Sequence, residues 1–165
     1  MRVGVLLDRG VDKDRTVIEK IETEAVTLLL ENILIDRDGL HLNIYRIYPR
    51  RGQNPYKAIG RLTIRLGESE EVGYLGNLGY SVNKKSRGKG YATAACQGVI
   101  DFLKRQGITY LTITTNNDNA PSQQVCEKLG GVLVGEVIVK RTMKTNGTGQ
   151  VITPCVKRVY RIILN

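Results

Sequence analysis

From Thr16 to about Asn32 the apolar residues Ile18, Ile21, Ala25, Leu28 and Leu29 recur at helical spacing with Glu19, Glu22 and Glu24 between them, which predicts an amphipathic helix. The second half of that segment, Val26-Thr27-Leu28-Leu29-Leu30, reads equally well as a strand, with Asp36-Arg37-Asp38-Gly39 as a hairpin turn after it. Leu40, Leu42 and Ile44 then alternate with His41, Asn43 and Tyr45, giving a strand over 40–48 that ends in the polar Pro/Gly loop 49–55. Over 57–66, Ala58, Gly60, Leu62, Ile64 and Leu66 share one face and Arg61, Thr63 and Arg65 the other, the period of a half-buried antiparallel strand. Glu68-Ser69-Glu70 predicts a turn, and 72–82 a strand interrupted by Gly73, Gly76 and Gly79, where glycine marks a bulge or a close approach to the backbone.

The period then changes. Ala92, Ala95, Cys96, Val99, Ile100 and Leu103 fall at helical intervals, Lys104 and Arg105 sit in the last turn where cations favour the dipole, and Gly107 stops the helix. Residues 108–115 are β-branched and aromatic and predict a strand. After Asn119 a short helix follows, with Pro121 near its start, Val125 and Leu129 four apart, and Gly130 as the stop. Strands over 131–139 and 156–164 close the chain, joined by a loop containing Thr145-Asn146-Gly147-Thr148-Gly149. Strands grouped in this order with interposed helices predict a mixed sheet with helices against it, not a regular alternating parallel fold.

Composition narrows the classes. The 165 residues suit one domain, 1–165, and 41% apolar with 25% charged residues excludes a disordered or collagen-like chain. No run approaches the roughly 18 apolar residues of a spanning helix, and Asp8 and Arg9 close the apolar N-terminal run, so an intracellular, cytoplasmic protein is expected, with no membrane partner. Cys96, Cys126 and Cys155 are odd in number without CxxC spacing, and His41 is the single histidine, which argues against a disulfide framework and a zinc site. Asn146-Gly147-Thr148 has the form of a glycosylation acceptor, without weight in a chain expected to be intracellular. The net charge of +9 is uneven: residues 1–40 carry −3, residues 41–92 carry +7 and the remainder +5. A basic middle attracts polyanions, either a nucleic acid or a phosphate-bearing cofactor.

The chemistry-bearing feature is Arg87-Gly88-Lys89-Gly90-Tyr91-Ala92, placed between a strand and the best-defined helix. Gly88 and Gly90 let a ligand approach the backbone, the first-turn amides are unpaired donors, and Arg87 and Lys89 add charge, so this is a candidate pyrophosphate cradle. Nucleotide alternatives fail on spacing: Thr93 stands where the dinucleotide fingerprint needs Gly, and no GxxxxGK[ST] occurs.

The run of strand GYSV at 79–82, RGKGYA at 87–92 opening a helix, strand YLTITT, then Asn119-Ala120-Pro121-Ser122 and Glu127-Lys128-Leu129-Gly130-Gly131 resembles the GNAT superfamily of acetyl-CoA-dependent N-acetyltransferases, over about 57–139. Arg87, Gly90 and Ala92 stand at the defined positions of that family's [Q/R]xxGx[G/A] signature. The resemblance implies an α/β (α+β) fold with a mixed, mostly antiparallel sheet of about six to seven strands, splayed in the centre, with helices on both faces. It implies acetyl-CoA (CoA) as cofactor and an amine acceptor, small molecule or protein, as the other partner. The pantetheine arm would lie along residues 79–82, bonded by main-chain groups of Tyr80 and Val82 beside Ser81. The amides of Arg87, Gly88, Lys89, Gly90, Tyr91 and Ala92 would hold the pyrophosphate, and Asn119 and Ser122 would face the cofactor from the other side. Residues 1–56 lack the resemblance, and the family's substrate-covering helices look shortened or absent there.

Amine attack on a thioester needs a proton acceptor, and the departing thiolate gains from a donor. Many family members have a Tyr donor seven residues after the motif Asn; here that position is Cys126, leaving Ser122 and Cys126 as candidate catalytic donors. Glu70 and Glu71 are the nearest carboxylates to the strand before the signature, and Tyr45, Tyr48, Tyr74 and Tyr80 are candidates to line the acceptor site. The rival readings are a nucleic-acid-binding module using 41–92, though no recognition helix or aromatic platform accompanies the charge, and a CoA-binding protein of the same fold without transfer activity. The C-terminal strand 156–164, if at a sheet edge, could pair with a second copy as a homodimer.

Overall fold

The computed structural model describes residues 5–6, 17–36, 38–52, 54–144 and 150–164. Short strands β1 (Val5–Leu6) and β2 (Val17–Ile18) pair with each other. Strands β3 (Lys20–Glu22), β4 (Val26–Ile35), β5 (His41–Pro49), β6 (Gly60–Arg65) and β7 (Leu78–Val82) form an antiparallel sheet in sequence order. Strands β8 (Tyr110–Asn116), β9 (Val132–Lys144) and β10 (Gln150–Ile163) form a second, ordered β8-β10-β9. Three helices accompany them: α1 (Glu70–Leu75), α2 (Tyr91–Arg105) and α3 (Ala120–Lys128).

The helix expected over 16–32 is replaced by β3 and β4. Val26 and Leu28 are fully buried at two-residue spacing, and Thr23 turns the chain between the strands, its Oγ1 accepting from Val26 N at 3.0 Å. The helical spacing comes from the turn at 23–25, which separates Ile21 on β3 from Val26 on β4, together with Leu29, an apolar residue on the exposed face of β4. The alternative reading stands: Asp36 Oδ1 accepts from Asp38 N at 3.1 Å and Leu40 N at 2.8 Å, and Gly39 takes φ +78° in the hairpin turn. The splitting of this segment brings the two main sheets to eight strands where six to seven were expected.

The expected strand over 72–82 is likewise half helix. Ser69 Oγ accepts from Val72 N at 3.2 Å and caps α1, which stops at Gly76 with φ +80°. Only from Leu78 does the chain run as a strand. The last two strands run longer than the expected 131–139 and 156–164, and β10 is not an edge: it pairs with β8 on one side and β9 on the other, so β9 holds the outer edge of this sheet. The loop at 145–149 lies outside the described residues.

The amphipathic stripe of α2, with Ala95, Cys96, Val99 and Leu103 at 0–1% exposure, packs over Leu28, Tyr45, Leu62 and Leu111 in one core. A fully buried Val or Leu such as Val99 or Leu103 contributes about 1.5–3 kcal/mol relative to exposure. Leu111, Ile113, Tyr160 and Ile162 face the same core. Thr114 points the other way along β8 and donates through Oγ1 to Tyr74 O at 3.1 Å, so α1 lies on the opposite face and helices flank both sides.

The two sheets meet at one point. A single bridge joins Gly76 to Ile113; beside it Asn77 N donates to Thr112 O at 2.7 Å and Thr112 N donates to Asn77 Oδ1 at 2.8 Å. Beyond that point no ladder connects β7 to β8 among the described residues, and the sheet is split at its centre.

Candidate functional site

The backbone of β7 shows which groups face the split. Arg65 N donates to Asn77 O and Asn83 N donates to Ile59 O, so in the alternating antiparallel pattern the odd-numbered residues 77–83 exchange bonds with β6. The main-chain groups of Tyr80 and Val82 therefore point away from β6, toward the gap before β8. One is already engaged: Arg87 Nε donates to Val82 O at 2.9 Å. Arg87 thus ties the loop to the end of β7 as well as adding charge.

Past β7, a 3-10 turn at Lys84–Ser86 leads into the Arg87–Ala92 loop. Gly88 and Gly90 have φ of +75° and +76°, values that disfavour any side chain, and a Cβ on either would meet nothing within 4 Å. The loop therefore curls into open space with the first amides of α2 exposed at its end, and Lys84, Lys85, Arg87 and Lys89 are all exposed around it. Tyr91 contributes only backbone here, because its ring is buried and its hydroxyl donates to Arg51 O at 3.1 Å.

The start of α3 faces the same space. Asn119 caps it, its Oδ1 accepting from Ser122 N at 3.3 Å. Ser122 Oγ lies 2.9 Å from the Tyr80 hydroxyl, which also donates to Ser122 O at 3.2 Å, so a tyrosine of β7 reaches across the split to α3. Burial raises the Tyr80 hydroxyl above the ordinary tyrosine range, and the Ser122 hydrogen bond opposes it. Cys126 is fully buried, interacts with the Tyr80 hydroxyl, and burial pushes its thiol up to about 11.

Together these elements enclose a cavity of about 440 Å³. Of the residues expected from sequence, Tyr80, Ser81, Val82, Arg87, Gly88, Gly90, Tyr91, Ala92, Asn119 and Ser122 line it; Lys89 and Cys126 do not. Thr93, Gln124, Val125 and Lys128 line it without having been expected. Gln124 and Lys128 are one helical turn apart on α3, a spacing that gives the signal once Asn119 is taken as the cap. Glu70 is exposed on α1, on the other face of the sheet, and Tyr45 is buried in the core, so neither reaches the cavity. Tyr48 and Tyr74 are half-buried and also outside it.

Two helix N-termini, an open glycine loop and a strand with unpaired main-chain groups fit an elongated, phosphate-bearing ligand such as CoA. A larger cavity of about 690 Å³ lies between α1 and β8–β10, where Tyr110 bonds Glu68 and Arg161 stacks 5.0 Å from the Tyr110 ring. It holds no helix N-terminus of eight residues or more and one cation, and suits a polyanion less well. Much of the basic charge elsewhere is compensated: Glu31 bonds Arg46 and Arg61, with Arg46 holding its carboxyl below the usual carboxylate range, and Arg65 pairs with Asp36 at 2.6 Å.

The model of the acetyltransferase (GNAT) domain matches residues 15–132 of this chain. An uncharacterized N-acetyltransferase, YjdG, of Bacillus subtilis (strain 168) is 38% identical over 69 residues, which is 41% of this chain and 40% of that protein. Among solved structures, the ribosomal-protein-S5-alanine acetyltransferase of Vibrio fischeri superposes with a TM-score of 0.54 at 22% identity, covering 75% of this chain and 62% of that one. RimL, a ribosomal L7/L12 alpha-N-protein acetyltransferase solved with coenzyme A, superposes with a TM-score of 0.60 at 16% identity, covering 88% and 98%. The likeness to these structures is one of fold, and the family match extends over most of the sequence that builds the split sheet and both helix N-termini. This chain belongs to the GNAT acetyltransferase family.

Proposed function

We propose that the protein is an N-acetyltransferase that moves an acetyl group from acetyl-CoA to a primary amine by direct attack on the thioester. The observation that carries this reading is the convergence, on one cavity, of the N-termini of α2 and α3 with the unpaired edge of β7. The Arg87 amide is engaged by Lys84 O, so in that reading the amides of residues 88–92 hold the pyrophosphate, with Arg87, Lys89 and Lys128 adding positive charge, and Tyr80 and Val82 bond the arm from the strand. Bound acetyl-CoA supplies the activated acyl group. The protein aligns the two reactants, the contribution that proximity makes to any bimolecular transfer. No carboxylate lines the cavity among the described residues, and in this reading the amine proton leaves through water. The two structural neighbours named above act on ribosomal proteins, and a protein α-amine is the acceptor class we would screen first, beside small amines. A cytoplasmic location fits such acceptors.

Calorimetric titration with acetyl-CoA, CoA and ATP tests the reading. Binding of both CoA species without comparable binding of ATP is expected. Absence of binding at millimolar ligand would overturn it, and binding without turnover on an amine panel would leave a CoA-binding protein with no transferase activity.

A further inference from the structure

Among the described β7 residues that line the cavity, Tyr80 has a side chain anchored on α3. Its position is set three ways. The register with β6 directs its main-chain groups to the split and its ring toward α3; Ser122 Oγ and Ser122 O fix the hydroxyl at 2.9 and 3.2 Å; and Cys126, at the base of α3's inner face, fills the space beneath without itself lining the cavity. A ligand held at residues 87–92 and running back along β7 passes Val82 and then Tyr80, about 7 Å further along an extended strand. Such a ligand thus reaches the level of Tyr80, whose hydroxyl borders the same cavity at Ser122.

We infer that Tyr80 is the hydrogen-bond donor that stabilises the departing thiolate, with Ser122 as its positioning residue. This rests on the acetyltransferase reading. In the transfer a bond forms between the amine nitrogen and the acetyl carbon, the C–S bond breaks, and its electron pair goes to sulfur. The Tyr80 O–H stays intact and turns from Ser122 O to that sulfur while Ser122 Oγ donates into the phenol oxygen; the amine proton passes to water, and the thiolate takes a proton from water on release. A hydroxyl whose proton is held more firmly than that of an ordinary tyrosine suits donation without transfer. The Cys126 thiol is fully buried and does not line the cavity.

The test compares wild type, Tyr80→Phe and Ser122→Ala in three measurements: calorimetric CoA affinity, ultraviolet titration of the thiol of bound CoA, and steady-state kinetics. Tyr80→Phe keeps the ring, and CoA affinity below the thiol pKa is expected to stay within about twofold. Its kcat should fall about 10²-fold, the scale of losing one preorganised donor, with KM for acetyl-CoA little changed. The bound thiol should titrate at higher pH than in wild type, and Ser122→Ala should fall between the two. If Tyr80→Phe does not fold, the intermediate thiol titration of Ser122→Ala carries the test. An unchanged thiol titration in either folded variant overturns the inference, even with a lower kcat. Failure of wild type to bind CoA overturns the acetyltransferase reading along with it.

Discussion

Asn77 is the side chain on which the junction between the two sheets depends. It is 7% exposed, and its Nδ2 donates to Arg65 O at 3.0 Å and Gly67 O at 3.3 Å while its Oδ1 accepts from Thr112 N at 2.8 Å. Asn77→Ala keeps the main-chain bond to Thr112 O but strands two carbonyls and one amide. Two buried bonds at about 1–1.5 kcal/mol each and one partly exposed bond at about 0.5 sum to about 3 kcal/mol. For a chain of this size that is a loss of roughly 6–12 °C in Tm. Asn77→Asp keeps the acceptor but removes both donors and buries a charge, and should cost as much or more. Urea denaturation monitored by circular dichroism gives the free energy, and CoA titration of the folded variant gives the second readout. We expect affinity to fall, because the gap beside Tyr80 and Val82 is bounded at this one point. A loss below about 1 kcal/mol would refute the reasoning and show that the sheets are held together mainly by the shared core.

Gly90→Glu, which brings both a side chain at φ +76° and a negative charge, should lower CoA affinity more than about 10²-fold in a folded protein, as read by calorimetry. Asp36→Ala breaks a buried pair with Arg65 and removes the hairpin cap, and should cost about 3–5 kcal/mol in urea denaturation. Between about pH 9 and pH 11 the unfolded chain gives up a proton that folded Cys126 keeps, so stability should fall with rising pH across that window, and Cys126→Ala should flatten the slope.

Much of this architecture is legible in the sequence where one physical signal dominates. Helix α2 declares itself by an unbroken apolar stripe and a glycine stop, α3 by Asn119 and Gly130, and β6 by strict alternation. The loop at 87–92 is visible because glycine beside cations before a helix has few other uses. The pattern misleads where signals conflict. Over 16–32 the turn at Thr23 between β3 and β4 and the exposed Leu29 interrupt the alternation and imitate a helical period. In α1, Gly73, with Gly76 and Gly79 beyond its end, obscures a Ser69 cap followed by Glu70 and Glu71, itself a usable signal. The contact of Tyr80 with Ser122 spans 42 residues and joins two elements whose relative placement no local pattern encodes.

The place of β10 bears on how the chain reaches this structure. It follows every other described element, yet it alone hydrogen-bonds both β8 and β9, from Ile163 beside Tyr110 to Gln150 beside Lys144. During synthesis the five-stranded sheet can pair strand by strand as each neighbour emerges, whereas β8 waits with an unpaired edge and α3 waits with an uncovered inner face until the chain has passed Tyr160 and Ile162. The half of the cavity built on α3 is therefore the last to form. Truncation within β10 would release a nascent chain whose first sheet is complete and whose second is an exposed, aggregation-prone edge.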